Sequence, residues 1–422
     1  MSQAPAIPVQ PSPVSAPPPA TIAATADGVV CFAAVDWWYH NRGHSECQIM
    51  SRLARRVPVL WVNSIGMRAP TPGKTELVLH RYVRKLKSTV KGLRRDEATG
   101  MWVYSPLFIP RYNPRMVELN GRLVGLQVST LLRKLKIKRP AVWATVPTCA
   151  PMVERRRWAA SVWNRSDEFS AFPEADANLI APLEQRLLKA CDSAVYVNRI
   201  LFERERRSVK AAEFIGHGVD FNHFASARPD TKPPATIPDE LKDLPRPLVG
   251  FYGALDDYTV DLELLIKVAR HIRPATLLII GPKAMDISRL VAEPNVKYLG
   301  PVPYAKLPHY AAQFDCALMP WLQNDWIKGC NPIKLKEYLS LGFPVVSIRF
   351  AELERYEHLV YGADSHDEFL TQIGRALKEN NPQLVEQRRE SVRNDSWDAL
   401  ADKAASLLGL NPHQPHHTGG PR

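Results

Sequence analysis

The chain has 422 residues, of which 45% are hydrophobic and 23% charged, and its formal net charge is +12. That length and balance exclude a single small module and wholesale disorder, and they suit two domains of about 150 to 200 residues each. No stretch reaches the ~18 uninterrupted apolar residues of a membrane-spanning helix and no secretory signal opens the chain, so a soluble cytoplasmic protein is expected.

Residues 1–27 read as a disordered Pro/Ala-rich leader: the first 26 carry seven prolines and no charged side chain, too little apolar material for a core. After it, β-branched runs alternate with helical patterns. In the first half the pattern predicts strands over Gly28 to Val35, Val57 to Asn63, Ala141 to Ala144, Ser161 to Trp163 and Ser193 to Val197. Helices are predicted over Ser45 to Arg55 and Met116 to Leu135. A proline-rich linker, 228–247, separates this 28–227 domain from a second, 248–410. There strands are expected over Leu248 to Tyr252, Thr276 to Ile280, Val296 to Leu299, Cys316 to Pro320 and Val345 to Ser347, with a helix over Val260 to Ile272. The tail, 411–422, is expected to be unstructured. This alternation is that of parallel sheets wrapped by helices, so the fold class is α/β with two doubly wound domains. The six cysteines are widely spaced, without a C-x-x-C pair, and read as reduced core thiols.

Charge divides the halves. Residues 28–225 hold 32 Lys/Arg against 17 Asp/Glu, whereas 226–422 hold 23 against 25. The first half therefore suits an anionic partner. Arg81 to Arg95 has seven cations and no acid, with Val83, Leu86, Val90 and Leu93 at helical spacing. Such a helix either lies on an anionic leaflet, with Arg84, Lys85, Lys87 and Lys91 facing the membrane, or is a solvated helix packed by its apolar side. An RNA-binding role is the rival reading of the same charge, but no nucleic-acid motif accompanies it and no nucleic-acid partner is expected.

In open parallel sheets ligands bind beyond the carboxyl ends of the strands. The loop after Leu248 to Tyr252 offers Gly253, where backbone N–H groups could approach a phosphate; the plain alternative is a packing glycine. The stretch 331–346 reads as a helix with Asn331 as N-cap, Pro332 at its first position and Gly342 at its end. Lys334 and Glu337 then share a face near a positive helix end, where a diphosphate is favoured and a carboxylate one turn on can accept bonds from ribose hydroxyls. A capped surface helix with an i, i+3 ion pair is the other reading of the same residues.

Residues 247–380 resemble the nucleotide-sugar-binding domain of GT-B fold glycosyltransferases. The resemblance rests on Val-Gly-Phe-Tyr-Gly-Ala (249–254), Leu-Gly-Pro-Val-Pro-Tyr (299–304), Phe-Asp-Cys-Ala-Leu-Met-Pro (314–320) and Asn-Pro-x-Lys-Leu-x-Glu-Tyr-Leu (331–339). The first half is similar to acceptor domains of bacterial polysaccharide glycosyltransferases through Asp-Trp-Trp-Tyr-His (36–40), the 57–63 strand and Gly-His-Gly-Val-Asp (216–220). The resemblance implies two Rossmann-like domains with a cleft between them. It places donor diphosphate on Lys334, ribose on Glu337, and the base near Val302, with Gly253, Asn331 and Ile333 completing the donor site. A nucleotide-diphosphate sugar would be the co-substrate, with no other cofactor. A lipid-linked or oligosaccharide acceptor would meet the enzyme on the inner face of the plasma membrane.

The retaining branch of that family carries a glutamate eight residues before the ribose-binding one; here position 329 is Gly, and position 254 is Ala where that branch has Arg. The pattern is more similar to the inverting branch that includes xanthan-type glucuronosyltransferases and teichuronic-acid enzymes. Inversion needs a general base from the acceptor domain. Asp167, in Ser-Asp-Glu-Phe (166–169) after a strand, is the preferred candidate, and His44 in Arg-Gly-His-Ser (42–45) the second. No spaced Asp-x-Asp appears, so no metal is expected. A nucleotide-sugar epimerase and a donor-binding protein without catalysis are the other readings of the same second domain.

Overall fold

The computed structural model describes residues 25–39, 43–67, 87–172, 175–228 and 237–410. Two sheets organise it. The first has eight strands in the order β3-β4-β2-β1-β5-β6-β7-β8: β1 Gly28–Phe32, β2 Val59–Val62, β3 Leu93–Arg95, β4 Trp102–Tyr104, β5 Pro140–Ala144, β6 Ser161–Arg165, β7 Ser193–Tyr196 and β8 Ala212–Phe214. All its pairings are parallel except β3 with β4. The second has six parallel strands in the order β11-β10-β9-β12-β13-β14: β9 Leu248–Tyr252, β10 Thr276–Ile280, β11 Val296–Tyr298, β12 Cys316–Met319, β13 Val345–Ile348 and β14 Tyr361–Ala363.

Alternation along a strand sends successive side chains to opposite faces, and helices cover both. In β1, Val29 and Cys31 enter one core with Met50 and Leu53, while Val30 and Phe32 enter another with Val124 and Leu132. Both strand order reversals, β2-β1-β5 and β10-β9-β12, bring the loops after β1 and β9 to the carboxyl edge where ligands enter such sheets.

Several expectations are corrected. The stretch 248–410 is not one packing unit, because the helix Trp397–Leu407 returns to the first sheet. Its Trp397, Leu400, Ala401 and Ala404 join the core of β1 and the helix Ser45–Leu53. Arg52 pairs with Asp398 at 3.0 Å, and Arg56 with Asp402. Conversely Val219, Phe221, Phe224 and Ala227, expected in the first domain, pack in the core of the second. The basic segment 81–95 is not one helix: 87–90 is a helical turn, Leu93–Arg95 is edge strand β3, and 81–86 lie outside the described residues. Strands β3, β4, β8 and β14 have only three residues each, too short to leave a periodic signature.

The helix predicted from Asn331 begins at Ile333, with Pro332 extended at the capping position and no side-chain cap. Asn331 has a stronger claim elsewhere: its Nδ2 donates to the Val197 carbonyl of the first domain at 3.0 Å. Gly342 ends the helix in the left-handed conformation at φ +78°.

Candidate active site

Between the sheets lies a cleft of about 860 Å3. Its second-domain wall starts with two glycine turns. Gly253, after β9, has φ +148°, and a β-carbon there would stand 2.1 Å from the Lys334 Nζ. Gly281, after β10, has φ +142°, and its β-carbon would strike the Gly253 carbonyl oxygen at 1.9 Å. Only glycine lets these two turns touch and leaves room for the lysine head.

Lys334 enters from the first turn of the Ile333–Leu341 helix and lies over the Phe251 ring at 4.8 Å and the Trp321 ring at 5.9 Å. It forms no ion pair with Glu337, so the surface-pair reading of this helix is set aside. Half-buried among aromatic rings, its ammonium is pushed down to about 8 by desolvation, against the pull of Glu337 and Asp256. Glu337 is buried rather than on an accessible face, being only 6% exposed. It accepts from the Tyr252 hydroxyl at 2.8 Å and more weakly from the Tyr304 hydroxyl at 3.4 Å. Burial raises its carboxyl to about 7 despite those bonds and Lys334. Val302 lines the same wall, on the loop between β11 and the helix Leu307–Ala311. Asn331 and Ile333 stand where the walls meet, Ile333 packed on the first-domain core.

The opposing wall comes from the loops after β1, β6 and β7. Asp167 lies two residues past β6, and the turn is set by Arg165, whose guanidinium donates to the Asp167 backbone carbonyl at 2.7 Å. Arg165 is itself buried and held by Glu184 and Glu205. Of the two acids in this loop, Glu168 is taken by Arg204 at 2.6 Å. Asp167 has no ion pair among the described residues, and burial raises its carboxyl, opposed by Ser166 and the Arg165 charge. Asp167 lines the cleft together with Cys330 of the other domain. His44 precedes the Ser45–Leu53 helix, its carbonyl accepting from the Gln48 N–H while its side chain caps no helical N–H, and it lines the same cleft.

Sequence reasoning passed over several groups here. His217 lies in the cleft wall and is pushed down to about 3 by burial, with Lys336 and His44 adding to the effect. Lys336, two residues after Lys334, points the other way: its Nζ bonds the His217 carbonyl and Asp395, joining the two domains. The Phe172 and Trp326 rings meet at 5.0 Å across the cleft. Tyr252 and Tyr304 position Glu337. Of these, His217, Tyr252 and Tyr304 lie in segments with a local signal, 216–220, 249–254 and 299–304, but nothing in those segments showed what each side chain would meet. Of the residues expected to face a membrane, Arg84 and Lys85 lie outside the described residues, Lys87 is exposed, and Lys91 sits over the Trp38 ring at 4.4 Å. Among the described residues no group of three or more His, Cys, Asp or Glu gathers to hold a metal, and no helix is long and apolar enough to cross a membrane.

Residues 246–379, which supply the glycine turns, Lys334 and Glu337, match the family "Glycosyl transferases group 1". The chain carries a glycosyltransferase domain. It is 22% identical over 396 residues to the putative teichuronic acid biosynthesis glycosyltransferase TuaH of Bacillus subtilis (strain 168), an alignment covering 88% of this chain and 94% of that protein. The chain shares its fold with sucrose-phosphate synthase from Thermosynechococcus elongatus, at TM-score 0.61 and 13% identity, covering 90% of this chain and 98% of the other. It also matches an E. coli trehalose-6-phosphate structure bound with UDP-2-fluoro glucose, at TM-score 0.62 and 14% identity, covering 91% and 99%. At such identities the likeness carries the fold, which is GT-B: two parallel-sheet α/β domains with the cleft between them.

Proposed function

We propose that this glycosyltransferase moves a sugar from a nucleotide-diphosphate donor, held by the second domain, to a lipid-linked or oligosaccharide acceptor in surface polysaccharide synthesis, with inversion at the anomeric carbon. The observation that carries the reading is the presence in one cleft of an ammonium, Lys334, and a carboxyl, Asp167, neither of which forms an ion pair among the described residues. The name of the B. subtilis relative supports the polysaccharide context, and the bound UDP-2-fluoro glucose in the E. coli structure supports the donor class.

In this reading the diphosphate sits at the Gly253 turn, where backbone N–H groups and Lys334 meet its charge. Glu337, fixed by Tyr252 and Tyr304, keeps lone pairs for ribose hydroxyls. Asp167 takes the proton of the acceptor hydroxyl as that oxygen attacks the anomeric carbon. The bond from that carbon to the diphosphate oxygen breaks on the opposite face, and its electron pair goes to the diphosphate beside Lys334. Asp167's raised carboxyl is a stronger base than an exposed one, and Glu168 and Glu205 are already engaged by Arg204 and Arg165. A membrane-borne acceptor would account for the basic first half of the chain.

The test is product analysis. A panel of nucleotide sugars is offered with a detergent-solubilised lipid-linked acceptor, and the linkage is read by NMR. Equimolar nucleoside diphosphate and glycoside of inverted configuration is the expected result. Retained configuration removes Asp167 from the base role, and epimerised donor without glycoside removes transfer altogether.

A further inference from the structure

The long helix Pro114–Lys134 covers the first sheet with Val117, Val124, Val128 and Leu132, as an amphipathic helix should. Its outer face breaks that pattern. Leu119, Leu123 and Leu126 are 41%, 37% and 70% exposed, and Leu107 and Ile109, strapped alongside by the side-chain amides of Gln127 and Asn120, are exposed as well. Segment 107–139 around them carries eight Lys/Arg and one acid, Glu118, which Arg155 and Arg186 already engage.

Two cavities adjoin along this helix and share Ser129 and Arg156. One, of about 360 Å3, is lined in large part by Phe32, Val128, Met152 and Trp158. The other, of about 610 Å3, gathers Arg133, Lys136, Lys138 and Arg156 with no carboxylate on its wall. The Arg156 Nε is buried there without a hydrogen-bond partner. Lys136, at φ +58°, takes the left-handed position that ends this helix, its N–H bonding the Arg133 carbonyl and the Ile137 N–H the Leu132 carbonyl, a position that glycine also suits. The Asp27 carboxylate accepts from the Lys138 and Arg139 backbone N–H groups at the end of this segment, and the clustered cations still outnumber the acids beside the exposed leucines, a surface complementary to an anionic, partly apolar partner.

We propose that this face is a docking surface for an anionic phospholipid bilayer, with a lipid phosphate in the cationic cavity and Leu119, Leu123 and Leu126 entering the acyl boundary. Charge complementarity selects that occupant over this chain's own remaining segments. Residues 1–24 carry no charge, and 68–86 carry five Lys/Arg against one acid. A second copy would present the same cations. The inference rests on the reading that the acceptor is membrane-borne, and it moves the contact from the 84–91 cluster to the long helix.

The test is sedimentation of the full chain with phosphatidylcholine vesicles, with and without phosphatidylglycerol. Binding is expected only with phosphatidylglycerol and falls as salt rises. Leu123→Asp with Leu126→Asp, and separately Arg133→Gln with Lys136→Gly, should each raise the lipid needed for half-binding by about tenfold or more. Lys136→Gly relieves the backbone, so an undiminished melting temperature shows that the loss is not misfolding. Parent-like binding by either double variant, or no binding of the parent to phosphatidylglycerol vesicles, overturns the proposal; so does a parent that binds heparin but no vesicle. Donor affinity, measured in the same variants by calorimetry, should not change. Failure of transfer to a solubilised acceptor would sink the proposed function while leaving the vesicle result standing.

Discussion

Lys334→Met should make the protein more stable and worse at binding its donor, two effects of opposite sign from one change. Burial moves the ammonium from the ordinary lysine value of 10.5 to about 8. The unfolded chain therefore holds this proton more tightly than the fold does, and the charged lysine penalises the native state at every pH below about 8. The penalty is relieved between about 8 and 10.5. At about 1.36 kcal/mol per unit the ceiling is roughly 3 kcal/mol, and the solvent that reaches a half-buried head reduces it to about 1 to 2 kcal/mol. Removing the charge should raise the melting temperature by roughly 2 to 8 °C. In the proposed donor site the same ammonium would supply a charge-assisted bond to the diphosphate, about 1.5 to 3 kcal/mol, so donor Kd should rise by about 10- to 150-fold. Scanning calorimetry of the free protein and titration calorimetry with a nucleoside diphosphate read the two arms separately. In the parent, affinity should weaken as pH rises through about 8, and in Lys334→Met that dependence should vanish. A variant that melts lower and binds the diphosphate as the parent does would show that Lys334 is a structural residue.

Gly253→Ala should weaken donor binding comparably but without the stability gain, since its β-carbon would displace the Lys334 head and strain a backbone at φ +148°; the same two calorimetric measurements check it. Asp167→Asn should keep donor affinity and lower turnover by about 10²-fold or more. The parent's rate should fall on the acid side at a pH above the usual carboxylate range, because burial raises the Asp167 carboxyl and the protonated form is no base. If His44→Ala abolishes turnover and Asp167→Asn does not, the base is His44. Glu337→Gln should weaken donor binding and flatten its pH dependence. In the parent the carboxylate is progressively protonated as pH falls through about 7, losing its capacity to accept from ribose, which titration calorimetry at about pH 6 and pH 8 detects.

Two doubly wound sheets, the glycine turn at 253 and the helix that carries Lys334 were legible in the sequence because their signals are local. β9, β10 and β12 are buried on both faces and read as continuous apolar runs, and Gly342 punctuates the helix end. What was not legible depends on partners far along the chain. Asn331 looked like a helix cap and instead bonds Val197, more than a hundred residues away, because a buried carbonyl without a partner costs more than an uncapped helix start. Lys334 and Lys336 are chemically alike and two residues apart, yet helical geometry turns one to the cleft and the other to Asp395. Likewise Asp167 and Glu168 are adjacent acids until Arg204 claims one of them. The final helix carries an ordinary amphipathic pattern that does not name its partner, and only packing sends Trp397 back to the first sheet. Periodicity and turn chemistry thus determined which elements form and where their loops lie. The tertiary structure alone decided which charges are left unpaired in the cleft, because desolvation and pairing are properties of surroundings assembled from distant parts of the chain.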